Sequence, residues 1–395
     1  MTARQRTVWT WSAISFVVVA AIIGALVGRA THRIADRIES RFGYDPNPEG
    51  TREVLAEFGP EGLFRNAGDE AIRKAEGRDT FLYRSGYKAH QALYGKPFIV
   101  GRQGIGDCTS WGWAHAIWFA MSVDWETGRL PMPPPMVATE SIYGGSRVES
   151  RNKDGSGRSA VGGWSDGSYG AACARFVRDY GVAFREDAGG HDLRTYSADR
   201  AKAWGAYGNG GQGDEGKFDQ FVKRHPAEHV AAVKNFAEAA AAIESGFPVA
   251  VCSSQGFTST RDKDGFAQAS GTWQHCMCFL AVRYKANGSP DDALLCLNSW
   301  SDSWITGPIW PTDMPAGSFW VHRSIVDRML GGENTDSFAV GSVGGFSWRP
   351  VNHRDWFQPA PPAPPADLKP VIPAPAPAAA PISPAGVAGS FSIAP

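Results

Sequence analysis

A surplus of charge of either sign is missing from this chain. Its 395 residues carry 39 Lys and Arg against 40 Asp and Glu, a net charge of −1. No basic field is present to hold a polyanion, which argues against a nucleic-acid partner. Cysteine is also scarce, with six at positions 108, 173, 252, 276, 278 and 296. No two of them pair convincingly as a local bridge. The five other than Cys108 therefore read as small buried hydrophobes, and the redox compartment stays open. Charge is absent altogether from residues 8–28, a run that includes Phe16, Val17, Val18, Val19, Ile22 and Ile23. About 20 apolar residues suffice to cross a bilayer as a helix. Trp9 and Trp11 stand near one end, where interfacial aromatics belong. A removable signal peptide would show a shorter apolar core and a small-x-small cleavage site, and neither is evident. The expectation is a single-pass transmembrane anchor. Arg4 and Arg6 precede it and Arg29, Arg33 and Arg37 follow, so the positive-inside comparison nearly cancels. An extracytoplasmic placement of the rest of the chain is slightly favoured.

What is present is ample core material, 43% apolar and 12% aromatic residues, enough for one large globular domain with appendages. Residues 1–7 form a short leader to the anchor at 8–28. Residues 29–95 read as a polar connector or pro-segment with helical fragments. Residues 96–354 carry the main domain, and a Pro/Ala-rich tail at 355–395 has too little to bury and is expected to be disordered. Within the main domain helices come first and strand-rich stretches later, the order of an α+β fold.

The chemistry concentrates at residues 103–118. A glycine-broken turn, Gln103-Gly104-Ile105-Gly106, leads to Cys108 at the start of an apolar segment. At helical spacing Trp111, Ala114, Trp118, Met121 and Trp125 line one side, and Trp113, Ile117 and Ala120 a second, so the helix is expected to be central. A cysteine at a helix N-terminus faces unpaired N–H groups and the positive end of the dipole, both favouring the nucleophilic thiolate. Far along the chain, His275 opens a strand-like run, and the next apolar run ends in Asn298-Ser299-Trp300, with Trp304 beyond. His115 lies about 10 Å from Cys108 along the same helix, too far to serve as its base. It reads as a packed, hydrogen-bonded histidine. A zinc site built from His275, Cys276, Cys278 and Cys296 is disfavoured, because strand alternation turns the histidine away from its neighbouring thiols. No metal or other cofactor is expected.

Cys108 behind Gln103-Gly104, His275 on a strand and Asn298-Ser299-Trp300-x-x-x-Trp304 together resemble the papain-like cysteine peptidases, in that family's order of Cys, His and Asn. The separations from Cys108 exceed the roughly 130–150 positions of the papain group, so extra length sits between nucleophile and base. The resemblance implies a two-lobed fold, a helical lobe and a β-rich lobe, behind the transmembrane helix. It implies a membrane-anchored thiol endopeptidase acting on peptide or protein substrates. In it Cys108 is the nucleophile, His275 the base, Asn298 the group that orients the ring, and Gln103 an oxyanion donor. Trp300 would shield the Asn–His hydrogen bond. Gly163-Trp164-Ser165-Asp166-Gly167-Ser168-Tyr169 is similar to the family's substrate-cleft segment, which makes Gly167 the peptide-contacting position. Three departures stand out: Gln103 is one residue nearer the cysteine than is usual, Gln274 replaces an acidic neighbour of the histidine, and the family's disulfide cysteine just ahead of the nucleophile is missing. Two other readings remain open, a cell-wall peptidase or amidase of the same superfamily and an inactive papain-fold binding module.

Overall fold

The computed structural model describes residues 42–150, 166–227 and 229–341. The anchor expected at 8–28 and the tail from 355 lie outside them. Among the described residues no helix is long and apolar enough to cross a membrane.

One helix and one sheet define the body. Helix α3 (Cys108–Glu126) is buried along nearly its whole length, as its all-round apolar sequence requires. It packs across a seven-stranded antiparallel sheet whose main path runs β4 (His229–Ala232), β9 (Phe338–Gly341), β5 (Val249–Arg261), β6 (Ala267–Arg283), β7 (Ala293–Leu297) and β8 (Ser318–His322). Near-continuous apolar runs such as Ala293–Leu297 are buried at every position, hence on both faces of the sheet.

Residues expected to form a connector are built into this body. β1 (Thr80–Phe81) adds to β6, and α2 (Tyr83–Tyr94) packs on α3. Phe81, Leu82 and Tyr83 are fully buried, so their apolar surface is satisfied by the main core. α1 (Pro48–Phe58), N-capped by Asn47, packs on α4 (Gly170–Asp179). Cys173, Phe176 and Val177 of α4 are buried, as is its N-cap residue Tyr169.

Two local features bring helix and sheet to contact distance. A Cβ at Gly112 would lie 2.7 Å from the Met277 carbonyl oxygen and 2.9 Å from Cys276 Sγ. Only glycine lets the first turns of α3 approach β6 so closely. The ladder also sets Cys252 directly opposite Cys276, and the two form a disulfide. This overturns the expectation that no cysteine pairs. The cause is strand register, which fixes who faces whom and is not visible in linear spacing. Cys108, Cys173, Cys278 and Cys296 are free and buried.

Candidate active site

Asp107 is the N-cap residue of α3, so Cys108 is the first residue of the helix. The backbone N–H groups of Cys276 and Gly43 point at the Cys108 sulfur. The thiol thus lies against the middle of β6, beside Cys276 and one residue from His275, which the sequence places near a strand start. His275 Nε2 is 2.8 Å from Asn298 Oδ1, and the same oxygen accepts the Ser299 N–H at 2.7 Å. An oxygen already taking a backbone donor must face the ring as an acceptor, so Nε2 carries the proton and Nδ1 the lone pair. Nδ1 is buried and has no hydrogen-bond partner. Trp300 lies over the imidazole with ring centroids 4.6 Å apart, which keeps water from the Asn298–His275 bond and strengthens it in a low local dielectric.

Gln103 is held by both ends. Its Oε1 accepts from the Ser299 hydroxyl at 2.6 Å and from Trp300 Nε1 at 3.2 Å, and its Nε2 donates to the Ile105 carbonyl at 3.0 Å. Two donors on one terminus fix the amide orientation and turn the NH2 toward the glycine turn ahead of Cys108. The backbone N–H of Gln103 bonds the Ser299 carbonyl. Gln103, Asn298, Ser299 and Trp300 are therefore one hydrogen-bonded unit spanning from the loop before α3 to the end of β7.

The thiol is completely covered, and the cover is the chain itself. Residues 42–45 run through the groove between the Gly106 turn and the Gly167 segment. Gly43 and Tyr44 donate their N–H groups to the Gln274 carbonyl, and Asp45 N–H donates to the Ser168 carbonyl at 2.9 Å. Ser168 N–H returns a bond to the Gly43 carbonyl at 2.9 Å, and Tyr44 and Ser168 form a parallel bridge. Phe42 sits edge-on to His275 and Trp300, at centroid distances of 6.1 Å and 5.7 Å. Tyr44 is buried behind them, its hydroxyl donating to the Asn334 carbonyl.

The backbone partner in this groove is Ser168, one residue beyond the expected Gly167. Gly167 takes a left-handed φ of 111°, and a Cβ there would lie 3.0 Å from the Gly43 carbonyl oxygen. Its role is close approach, while the pairing groups belong to its neighbour. Tyr143 accepts the Gly167 N–H and the Arg147 guanidinium holds its carbonyl. Sequence reasoning missed the groove-filling segment and Tyr143, which stand in no motif, and it gave Ser299 no role of its own within Asn298-Ser299-Trp300. The lone Gly43 was the available signal, and it gains meaning only beside Gly106.

Burial also reverses the expected ionisation. Desolvation pushes the Cys108 thiol up to about 12 and outweighs the two N–H groups that favour thiolate; the neighbouring Asp107 adds to the rise. Desolvation likewise holds His275 down to about 4, against the opposing Asn298 bond. Covered by residues 42–45, the pair is a neutral thiol beside a neutral imidazole, and no hydrogen bond joins them. The helix terminus does not win here because the medium around the sulfur excludes water. Among the described residues no cluster of His, Cys, Asp and Glu has the makings of a metal site.

No family model and no curated protein matches this chain. Solved structures with a similar chain path include xylellain, a cysteine protease from Xylella fastidiosa. It is 15% identical, covers 78% of this chain and 97% of its own, and has a TM-score of 0.48. Digestive procathepsin L 3 of the Tenebrio molitor larval midgut is 14% identical over 81% of this chain and 90% of its own, with a TM-score of 0.39. The proform of Amb a 11, a ragweed pollen cysteine protease, is 12% identical over 78% of this chain and 77% of its own, with a TM-score of 0.43. All three are papain-like cysteine proteases, the kind that the motifs of this sequence resemble.

Proposed function

We propose that this chain is a papain-like cysteine peptidase that hydrolyses peptide bonds through a thioester on Cys108, held in a latent form by its own residues 42–45. The observation that carries this reading is the convergence at one groove. Gly43 of the bound segment aims its N–H at the Cys108 sulfur, its neighbour Phe42 lies edge-on to the His275 ring that Asn298 holds, and Ser299 and Trp300 orient the Gln103 amide of the loop before α3.

With residues 42–45 withdrawn, water and substrate reach the sulfur and the desolvation that holds its proton is relieved. The thiol proton passes to His275 Nδ1, and the thiolate attacks the scissile carbonyl carbon. The Gln103 NH2 and the Cys108 N–H receive the developing oxyanion. The imidazolium returns its proton to the leaving amine as the C–N bond breaks, leaving a thioester. Water then attacks the thioester carbon, giving a proton to Nδ1; the C–S bond breaks to release the acid product, and Nδ1 returns the proton to the sulfur. Asn298 keeps Nε2 protonated throughout, so Nδ1 is always the exchanging nitrogen.

The test is hydrolysis of an unstructured protein such as casein by a Gly43→Ala chain, whose groove segment no longer fits. Activity there, lost in the Cys108→Ala double variant and lowered about 10²–10³-fold in kcat by Gln103→Ala, is the expected result. A folded Gly43→Ala chain whose Cys108 alkylates readily yet cleaves no peptide would overturn the reading.

A further inference from the structure

Both groups assigned to the oxyanion ride on one short turn, with Gln103 at its start and Cys108 at its end. How far apart the two donors stand depends on how the residues between them are held. The middle of the turn is tied from within: the Ile105 carbonyl accepts the Gln103 Nε2 donor at 3.0 Å and the Asp107 N–H at 2.9 Å. Its two shoulders are tied from outside by a single oxygen. The Tyr196 hydroxyl accepts the Gly104 N–H at 3.0 Å and donates to Asp107 Oδ2, also at 3.0 Å. Asp107 is fully buried and its Oδ1 has no hydrogen-bond partner; Oδ2 takes a second, longer bond from Trp111 Nε1 at 3.3 Å. Tyr196 is itself held in place. The Ser197 N–H donates to Glu140 at 2.9 Å, and Glu140 is fully buried and paired with Arg185 and Arg200. The Tyr196 ring meets Trp111 edge-on, with centroids 5.1 Å apart. A Cβ at Gly104 would lie 2.8 Å from Ala198 Cβ, so glycine there lets the turn close onto the loop that carries Tyr196. Burial, with the Asp107 carboxyl beside it, pushes the phenol well above its ordinary 10, and the hydroxyl stays a donor at working pH.

We infer that Tyr196 is a positioning residue for the oxyanion site: one hydroxyl, tied to the residue after Gln103 and to the residue before Cys108, sets the spacing of the Gln103 NH2 and the Cys108 N–H. The inference rests on the peptidase reading above. Tyr196 touches no reacting atom and acts through the turn. Without its hydroxyl the exposed Gly104 N–H turns to water and Asp107 keeps its bond from Trp111, so the turn loosens without coming apart. A donor misplaced by about 1 Å forfeits much of its effect on the transition state. Loosening should therefore cost less than the roughly 10²–10³-fold that follows the loss of a whole donor. Ground-state binding is spared, because the backbone pairing of the groove lies at Ser168, on another segment.

The experiment is steady-state hydrolysis of casein by the full Gly43→Ala chain, alone and with Tyr196→Phe, Gln103→Ala or both, with urea midpoints to check folding. Tyr196→Phe is expected to lower kcat about tenfold at unchanged KM. With Gln103→Ala already in place the same change is expected to cost about threefold or less, because one of the two donors it spaces is gone. Tyr94→Phe, which removes a hydroxyl bonded to the Met136 N–H at 3.1 Å, is the control and is expected to leave kcat unchanged. Four results overturn the inference and leave the peptidase reading standing: a kcat within about twofold of the parent, a loss that falls on KM, an equal loss with and without Gln103, or a Tyr196→Phe chain that does not fold. A folded Gly43→Ala chain that cleaves no casein overturns the peptidase reading and takes this inference with it.

Discussion

Gly43 is where the latent state is most exposed to a single change. A Cβ at that position would stand 1.8 Å from the Gly106 carbonyl oxygen, with the Gly106 carbon atoms close behind. Both partners are backbone, so no side-chain rotation relieves the overlap, and Gly43→Ala must displace the segment. Gly43 itself makes two of the segment's groove bonds, its N–H to Gln274 and its carbonyl to Ser168. At about 0.5–1.5 kcal/mol net for each bond, losing both shifts the closed state by about 1–3 kcal/mol, or about 5–150-fold in the open population. The assay is the alkylation rate of Cys108 by iodoacetamide near neutral pH, read at that residue by peptide mapping. The three other free thiols are buried elsewhere and serve as internal references. Gly43→Ala should raise the Cys108 rate by that factor and leave theirs unchanged. An unaltered Cys108 rate in a chain that folds normally would refute the idea that residues 42–45 guard the sulfur.

Three further outcomes follow from the same geometry. Because burial sets the Cys108 thiol near 12, its alkylation in the intact chain should climb about tenfold per pH unit from pH 6 to 9; a plateau inside that range would contradict a covered neutral thiol. Gly112→Val should separate α3 from β6, abolish hydrolysis and lower stability by about 1–3 kcal/mol, seen in urea unfolding; full activity in this variant would deny the close contact its positioning role. His115 and His275 are both held by burial near 4, below the ordinary 6.5. A depressed histidine binds its proton only on unfolding, so their contribution to stability is present above pH 6.5 and is lost as pH falls toward 4. His115→Gln should flatten part of that acid decline in urea midpoints, and an identical decline would show that His115 does not titrate on unfolding.

Much of the site can be read in the linear chain, for reasons that are local. Cys108 begins a helix because a glycine-broken turn precedes an unbroken apolar run, and that helix is central because it has no polar face. His275 and Asn298 stand at the start and end of successive apolar runs, which antiparallel pairing brings side by side. Gln103 and Trp300 belong to short motifs whose chemistry is carried by residue type. Other features depend on contacts between distant segments, and there the linear reading ran out. The Cys252–Cys276 bridge follows from strand register, and the pairing role falls on Ser168 because the groove's geometry selects it over Gly167.

The sequence by itself determined the kinds of groups available, a thiol, an imidazole and two amides, and the elements that carry them, since periodicity and turn residues act within a few positions of one another. Only the tertiary structure decided their state. The thiol is protonated because residues 42–45, more than sixty positions upstream, exclude water from it. His115 packs its ring against Trp111 and Phe119, and its buried Nε2 is left without a hydrogen-bond partner. Desolvation is a property of everything packed around a group, and no reading of its neighbours along the chain supplies it.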